Sequence, residues 1–299
     1  MSVLTQPPAA LMAWARSEIG DCATPVDVSH PRAGSRVWGL PRPDGTVRAY
    51  LKVSPRPVPY EREVFALRHA VPALGALRAP QLIASLPQDL ALLLSPVDGR
   101  PLRQLTLRRA EEAAAHRQAG RLLALLHAAG EPTGPRRREA EDAVAVVADG
   151  AERHIAAAGE RLGPAERDLV RTCAARLAHL PPLPMAFLHG DAWPRNLLWN
   201  GTTAAWIDFE RARCGAAVQD FVLLACSVWP TRPDLRTALL TGYGRQLTPD
   251  EEIALMCLSA VDAAGCLAWG PDHDDPQVTA RGRRTLDRML REGHRRPRG

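Results

Sequence analysis

The spacing of apolar positions changes character along this chain. Between residues 8 and 19 (PAALMAWARSEI), Leu11, Trp14 with Ala15, and Ile19 recur at helical intervals, which predicts a short amphipathic helix. Residues 25–30 (PVDVSH) alternate weakly, 36–41 (RVWGLP) form a short apolar run, and 46–53 (TVRAYLKV) read as another strand. Asp44-Gly45 between the last two is a hairpin signal, and HPRAGSR, with Gly34 and Ser35, reads as a flexible turn. Tyr60, Val64, Leu67 and Val71 lie on one stripe of a predicted helix over 60–71. Apolar runs at 81–86 and 90–97 follow, and Asp98-Gly99 breaks the pattern.

Beyond residue 100 the period becomes helical, over 110–129 with Gly120 as the one interruption, then over 140–158 and 164–180, until Pro181, Pro182 and Pro184. A strand-like island spans 185–209, and helical text resumes over 217–243 and 249–268. The pattern predicts an α+β protein with a small β-rich lobe over 1–98 and a larger, mainly helical lobe over 99–299.

Composition narrows the class. The chain has 299 residues, 46% hydrophobic and 24% charged, ordinary values for a globular protein with a sizeable core. No uncharged apolar run reaches about 18 residues, so no membrane span is expected. The N-terminal text lacks a basic start followed by an apolar block, so no secretory signal is expected. Six scattered cysteines without a C-x-x-C pair argue against a zinc site or disulfide framework and fit a reducing cytoplasm. The formal charge of +5 is local: residues 281–299 carry eight arginines against Asp287 and Glu292, a surplus of +6. This basic tail reads as a solvated helix end and frayed terminus, and no nucleic-acid partner is expected; a nucleic-acid arm remains the competing reading.

All but one of the 38 lysine and arginine residues are arginine; the exception is Lys52. Arginine drift leaves two readings of that survivor. It is a chance remnant, or it stands where a compact ammonium is needed and a planar guanidinium does not fit.

The island MAFLHGDAWPRNLLWNGTTAAWIDFE carries the chemistry. Asn200-Gly201 predicts a hairpin with 200–203 as its loop, which sets residue 199 against 204 and Asn196 against Ile207, with Asp208 one residue further. Asp191 lies in the loop feeding the first strand. Two carboxylates and an amide oxygen suit a hard cation such as Mg2+, and a carboxylate beside such a site can orient or deprotonate a hydroxyl. Taken singly, Asp191 and Asn196 are also ordinary loop caps.

H-G-D-x-x-x-x-N followed by I-D-F (His189 to Asn196, then Ile207 to Phe209) resembles the signature of the aminoglycoside phosphotransferases, a family similar to choline kinases and, more distantly, to protein kinases. The resemblance spans roughly residues 20–270 and implies a two-lobed, protein-kinase-like fold. It implies an ATP- and Mg2+-dependent transfer of a phosphoryl group to a small-molecule hydroxyl. Lobe 1–98 would bind nucleotide, and lobe 99–299 would hold the catalytic residues and the acceptor. Asp191 resembles the catalytic base, Asn196 and Asp208 the metal ligands, and His189 and Asp220 residues that support the catalytic loop. Lys52 resembles the lysine that contacts the α/β-phosphates. Glu63 resembles its helix partner, favoured over Glu61 because it lies four residues before Leu67. Ser95 to Val97 resemble the adenine hinge, and Gly34 and Ser35 the phosphate loop, although a full G-x-G-x-x-G is absent. Glu210 stands where D-F-G has glycine, and Arg195 stands where small residues are frequent.

Acidic Glu210, Asp262, Asp272, Asp274 and Asp275 motivate an aminoglycoside-like or other basic acceptor, with possible antibiotic resistance. The alternatives are a metabolic kinase for a small amino alcohol, sugar or hydroxy amino acid, and a nucleotide-binding pseudokinase. Trp193 is the tryptophan expected to touch an acceptor; His30, His69, His116, His127, His154 and His179 are expected to face solvent or to pack.

Overall fold

The computed structural model describes residues 6–29, 34–130 and 133–295, with side chains described to residue 292. Contacts divide the chain into two compact units: residues 1–106 with 194–212, and residues 107–193 with 213–299. The sequence boundary at residue 98 differs from this division. Residues 99–106 and 194–212 belong with the first unit because β6 (Arg100–Pro101) pairs with β8 (Leu197–Trp199), and β8 pairs with β9 (Ala204–Trp206).

The first unit opens with α1 (Ala9–Ile19), followed by a five-stranded antiparallel sheet in the order β1-β2-β3-β5-β4. Its strands are β1 (Val26–Asp27), β2 (Arg36–Pro41), β3 (Val47–Val53), β4 (Leu82–Leu86) and β5 (Ala91–Leu94). The weakly alternating stretch at 25–30 yields only the two residues of β1. Leu11, Met12, Ala15 and Ile19 of α1 pack on Trp38, Leu40, Ala49, Leu51, Ala91 and Leu93. Strand alternation then turns Lys52 to the opposite face of β3 from Ala49 and Leu51. Helix α2 (Pro57–His69) starts earlier than its apolar stripe, with proline in its first turn, where no amide partner is needed. It buries Tyr60, Glu63, Ala66 and Leu67, so Val64 is replaced by Glu63 on the inward face.

The second unit is mainly helical: α3 (Arg109–His127), α4 (Pro135–Asp149), α5 (Ala151–Ala158), α6 (Pro164–Ala178), α7 (Val222–Ser227), α8 (Pro233–Tyr243), α9 (Pro249–Asp272) and α10 (Pro276–Arg295). The expected helix over 140–158 is two helices meeting at Gly150, and the stretch 217–243 is broken before Pro233. Strand β7 (Met185–Leu188) pairs not within the island but with β10 (Arg213–Ala216), a strand with no periodic signal of its own. Among the described residues, α9 is the helix long and apolar enough to cross a membrane, and 72% of its apolar window is buried inside the protein. Part of the basic tail departs from the expected solvated end. Thr285, Leu286 and Met289 are buried, and Arg283 pairs with Glu166, so α10 is a packed amphipathic helix; residues 296–299 lie outside the described residues.

Helices α3 and α8 approach closely because Gly120 and Gly242 carry no side chain. A Cβ on Gly120 would overlap the Leu239 carbonyl oxygen, and one on Gly242 the Arg117 carbonyl oxygen. Only hydrogen fits at these two positions.

Candidate active site

In the first unit the hairpin register matches the sequence reading. Trp199 faces Ala204, Leu197 faces Trp206, and the Ile207 amide donates to the Asn196 carbonyl at 3.0 Å. Asn196 is buried. Asp208 follows with φ of 69°, the left-handed region that an L residue other than glycine rarely adopts. Such strain persists where surrounding structure enforces it, often at functional positions.

Lys52 supplies part of that enforcement. Its Nζ lies 2.7 Å from Asp208 Oδ1, 2.8 Å from Glu63 Oε2 and 3.1 Å from Glu210 Oε2. Glu63 is buried and Glu61 exposed, so Glu63 is the partner. Burial disfavours the Lys52 charge, but Asp208, Glu63 and Glu210 outweigh it and hold the ammonium well above its usual value of 10.5. Burial pushes the Glu63 carboxyl up to about 7, against the pull of Lys52. The oxygens of Glu63, Asp208 and Glu210 lie within 4.8 Å of one another. Three carboxylates against one ammonium leave a formal surplus of two negative charges, and with the Asn196 amide nearby in sequence this all-oxygen donor set fits a hard divalent cation. Glu210 also accepts a hydrogen bond from Ser35 Oγ at 2.6 Å. Glu210 is thus held between Ser35 and Lys52. Residues 30–33 of the expected flexible turn lie outside the described residues; Gly34 packs beside Pro55. At the expected hinge the Ser95 amide donates to the Gln81 carbonyl at 2.9 Å, and Ser95 Oγ accepts from the Gln81 amide at 2.8 Å. Val97 is half-buried just beyond.

In the second unit, β7 leads into His189-Gly190-Asp191. Gly190 has φ of 77°, a turn that suits glycine. Asp220, fully buried, accepts from the His189 amide and from the Gly190 amide, each at 2.7 Å. The Asp191 amide donates to His189 Nδ1 at 3.3 Å, and Asp191 itself is buried. Sequence reasoning missed the layer behind Asp220. His127 Nε2 lies 3.0 Å from Asp220 Oδ2, and His127 Nδ1 lies 2.8 Å from the Tyr243 hydroxyl. In the sequence His127 follows Leu122, Leu123 and Leu126 and reads as packing; its partners are 93 and 116 residues away. The close crossing of α3 and α8 brings His127 and Tyr243 together.

Of the second-unit acids expected at an acceptor site, Asp262 stands apart from Asp272, Asp274 and Asp275, and the last two line one pocket with Arg161 and Arg283. Asp262 and Asp272 sit ten residues apart on α9, about 15 Å along its axis. Asp262 pairs with Arg281 at 3.3 Å, and Asp272 with Arg161 at 3.0 Å. Asp275 accepts from the Gln277 and Val278 amides at the start of α10, and Asp274 is exposed with φ of 49°. The six cysteines are free thiols.

A search of curated proteins finds no match. Solved structures are similar in fold. The gentamicin complex of APH(2")-IIa is 16% identical with a TM-score of 0.68, over 96% of this chain and 97% of that one. A thermostable mutant of the aminoglycoside phosphotransferase APH(4)-Ia, in ternary complex with ADP and hygromycin B, is 16% identical with a TM-score of 0.66, over 93% and 98%. A choline/ethanolamine kinase family protein from Mesorhizobium loti is 16% identical with a TM-score of 0.65, over 96% of each. These likenesses establish a kinase-like aminoglycoside phosphotransferase fold. The sequence model described as the phosphotransferase enzyme family (APH) matches residues 35–255, from Ser35 through Lys52, Asp191 and Asp208, and on this match the chain belongs to that family.

Proposed function

We propose that this protein transfers the γ-phosphoryl group of ATP to a hydroxyl of a small molecule. The observation that carries the reading is Lys52: the sole lysine of the chain is buried and held on one side by Glu63 and on the other by Asp208. In phosphoryl transfer the protein contributes mainly positioning and charge neutralisation. Lys52 binds the α/β-phosphates as a point charge, and Glu63 fixes the ammonium. Asn196 and Asp208 would hold Mg2+, which when bound neutralises phosphate charge. Gly34 and Ser35 border the phosphates. The Ser95 amide is engaged by Gln81, so adenine contact falls to the backbone around Val97. Asp191 orients the acceptor hydroxyl and takes its proton, while Asp220 and His189 fix the loop that carries it.

For the acceptor, the sequence motivates an aminoglycoside-like or basic molecule, and the gentamicin and hygromycin B complexes among the similar structures support that reading. The second reading is a metabolic kinase for a small amino alcohol, sugar or hydroxy amino acid, and the engaged state of Asp262, Asp272, Asp275 and Glu210 favours its uncharged member, a sugar, over a polycation. The test is coupled ADP release over an acceptor panel with Asp191→Ala as control. Loss of transfer with Mg·ATP binding retained supports the reading; full activity in Asp191→Ala removes Asp191 as the base. ATP binding with no transfer to any acceptor would make the chain a pseudokinase.

A further inference from the structure

Arg281 lies where α10 packs on α9 in the second unit. Its guanidinium is 3.3 Å from Asp262 Oδ2 and 3.0 Å from Cys266 Sγ, and its Cζ sits 5.7 Å from the centre of the Trp193 ring. That distance is within reach of a cation–π attraction. Only 11% of the arginine side chain is exposed. Trp193 follows Asp191 by two residues, so their α-carbons are at most about 7 Å apart. The indole and the guanidinium over it thus adjoin the loop that carries Asp191. The wall is assembled from three segments distant in sequence: the loop after β7, α9 and α10.

The charge of that wall decides what it tolerates. Asp262 is the acidic residue nearest the indole in this cluster, and Arg281 already pairs with it. A polycation arriving at Asp262 would have to displace a mostly buried arginine and leave that charge unpaired, which is strongly unfavourable. The indole face accepts the apolar side of a ring, and guanidinium donors suit a hydroxyl or carboxylate oxygen.

We propose that Arg281 is a specificity-determining residue that cancels Asp262 beside Trp193 and thereby selects an acceptor without cationic groups, a polyol or hydroxy acid. The inference rests on the reading of Asp191 as the residue that meets the acceptor hydroxyl, and places the Trp193–Arg281 pair at the border of that acceptor. The basic character of α10 is then part of acceptor selection rather than of a nucleic-acid arm.

The experiment measures gentamicin, glucose and glycerate by calorimetric binding and by ADP release on the full chain. The variants are Arg281→Met, Asp262→Asn and the double variant. Arg281→Met is expected to bind gentamicin at least tenfold more tightly than the wild type, and adding Asp262→Asn removes the gain. Asp262→Asn alone gives no gain in gentamicin binding, because the acid it removes is already cancelled; this arm stands even if Arg281→Met fails to fold. Equal gentamicin binding in wild type and Arg281→Met, or a tenfold gain in Asp262→Asn alone, overturns the proposal. So does wild-type turnover of gentamicin at a lower KM than glucose and glycerate. If Asp191→Ala abolishes transfer while Arg281→Met changes nothing, this inference fails and the kinase reading stands. If Asp191→Ala transfers normally, the kinase reading fails first and Arg281 loses its link to the acceptor.

Discussion

His127 Nε2 lies 3.0 Å from Asp220 Oδ2, and this contact joins the end of α3 to the carboxylate that accepts both the His189 and Gly190 amides. Through Tyr243 the chain of hydrogen bonds runs on to the end of α8. The loop carrying Asp191 is thus braced from behind by a buried side chain. His127→Leu removes one partner of a buried carboxylate, so a stability loss of about 1–3 kcal/mol is expected in urea unfolding. Steady-state kinetics should show kcat falling while KM for ATP stays near the wild-type value, with His127→Asn restoring part of kcat. Tyr243→Phe should do less, about 1 kcal/mol.

The same carboxylate predicts a pH dependence. Burial alone would raise the Asp220 pKa, but the hydrogen bond and charge of His127 and the Gly190 amide outweigh it and hold it below the ordinary 3.8. A folded value below the unfolded one means that ionised Asp220 contributes stability above pH 3.8 and loses it as pH falls through the folded value. Asp220→Asn should therefore lower stability at neutral pH yet flatten the acid limb below about pH 4, read from denaturant midpoints across pH.

Lys52→Arg is the sharpest test of the nucleotide assignment. The ammonium sits among Glu63, Asp208 and Glu210 at 2.7 to 3.1 Å as one compact charge, whereas a guanidinium is larger and presents a planar fork. A fall in kcat/KM of roughly 100-fold or more is expected in ADP-release assays. Normal transfer would make the survival of this lysine an accident of arginine drift.

Gly120→Ala should force α3 and α8 apart, since the added methyl overlaps the Leu239 carbonyl. Overpacking of this kind costs about 1–3 kcal/mol. Thermal melting measures that cost, and because the crossing sets the His127–Tyr243 contact, kcat should fall further than in a stability-matched surface variant.

Local patterns made much of this legible. The hairpin at Asn200-Gly201 has two short apolar runs flanking a strong turn signal, so its register, and with it Asn196 beside Asp208, follows from short-range geometry. Glu63 could be preferred to Glu61 because helical spacing places it beside the apolar stripe. Other features depended on partners the sequence does not place. Strand β10 has no alternation to announce it and exists because β7 offers a pairing edge. His127 looks like packing until Asp220 and Tyr243 arrive. The acidic residues of α9 and the turn after it look like a cation site until Arg161, Arg281 and the α10 amides engage them.

By itself, then, the sequence determined the α+β class, the lysine, glutamate and hairpin elements of the first unit, and the H-G-D loop, because periodicity, turn chemistry and motif spacing act over a few residues. Tertiary structure decided how the loop carrying Asp191 is braced, which acids are neutralised and where α10 docks. Those outcomes depend on close approach between residues scores of positions apart, such as Gly120 against Leu239 or Arg281 against Trp193, and no local pattern encodes which distant charge will reach a given carboxylate first.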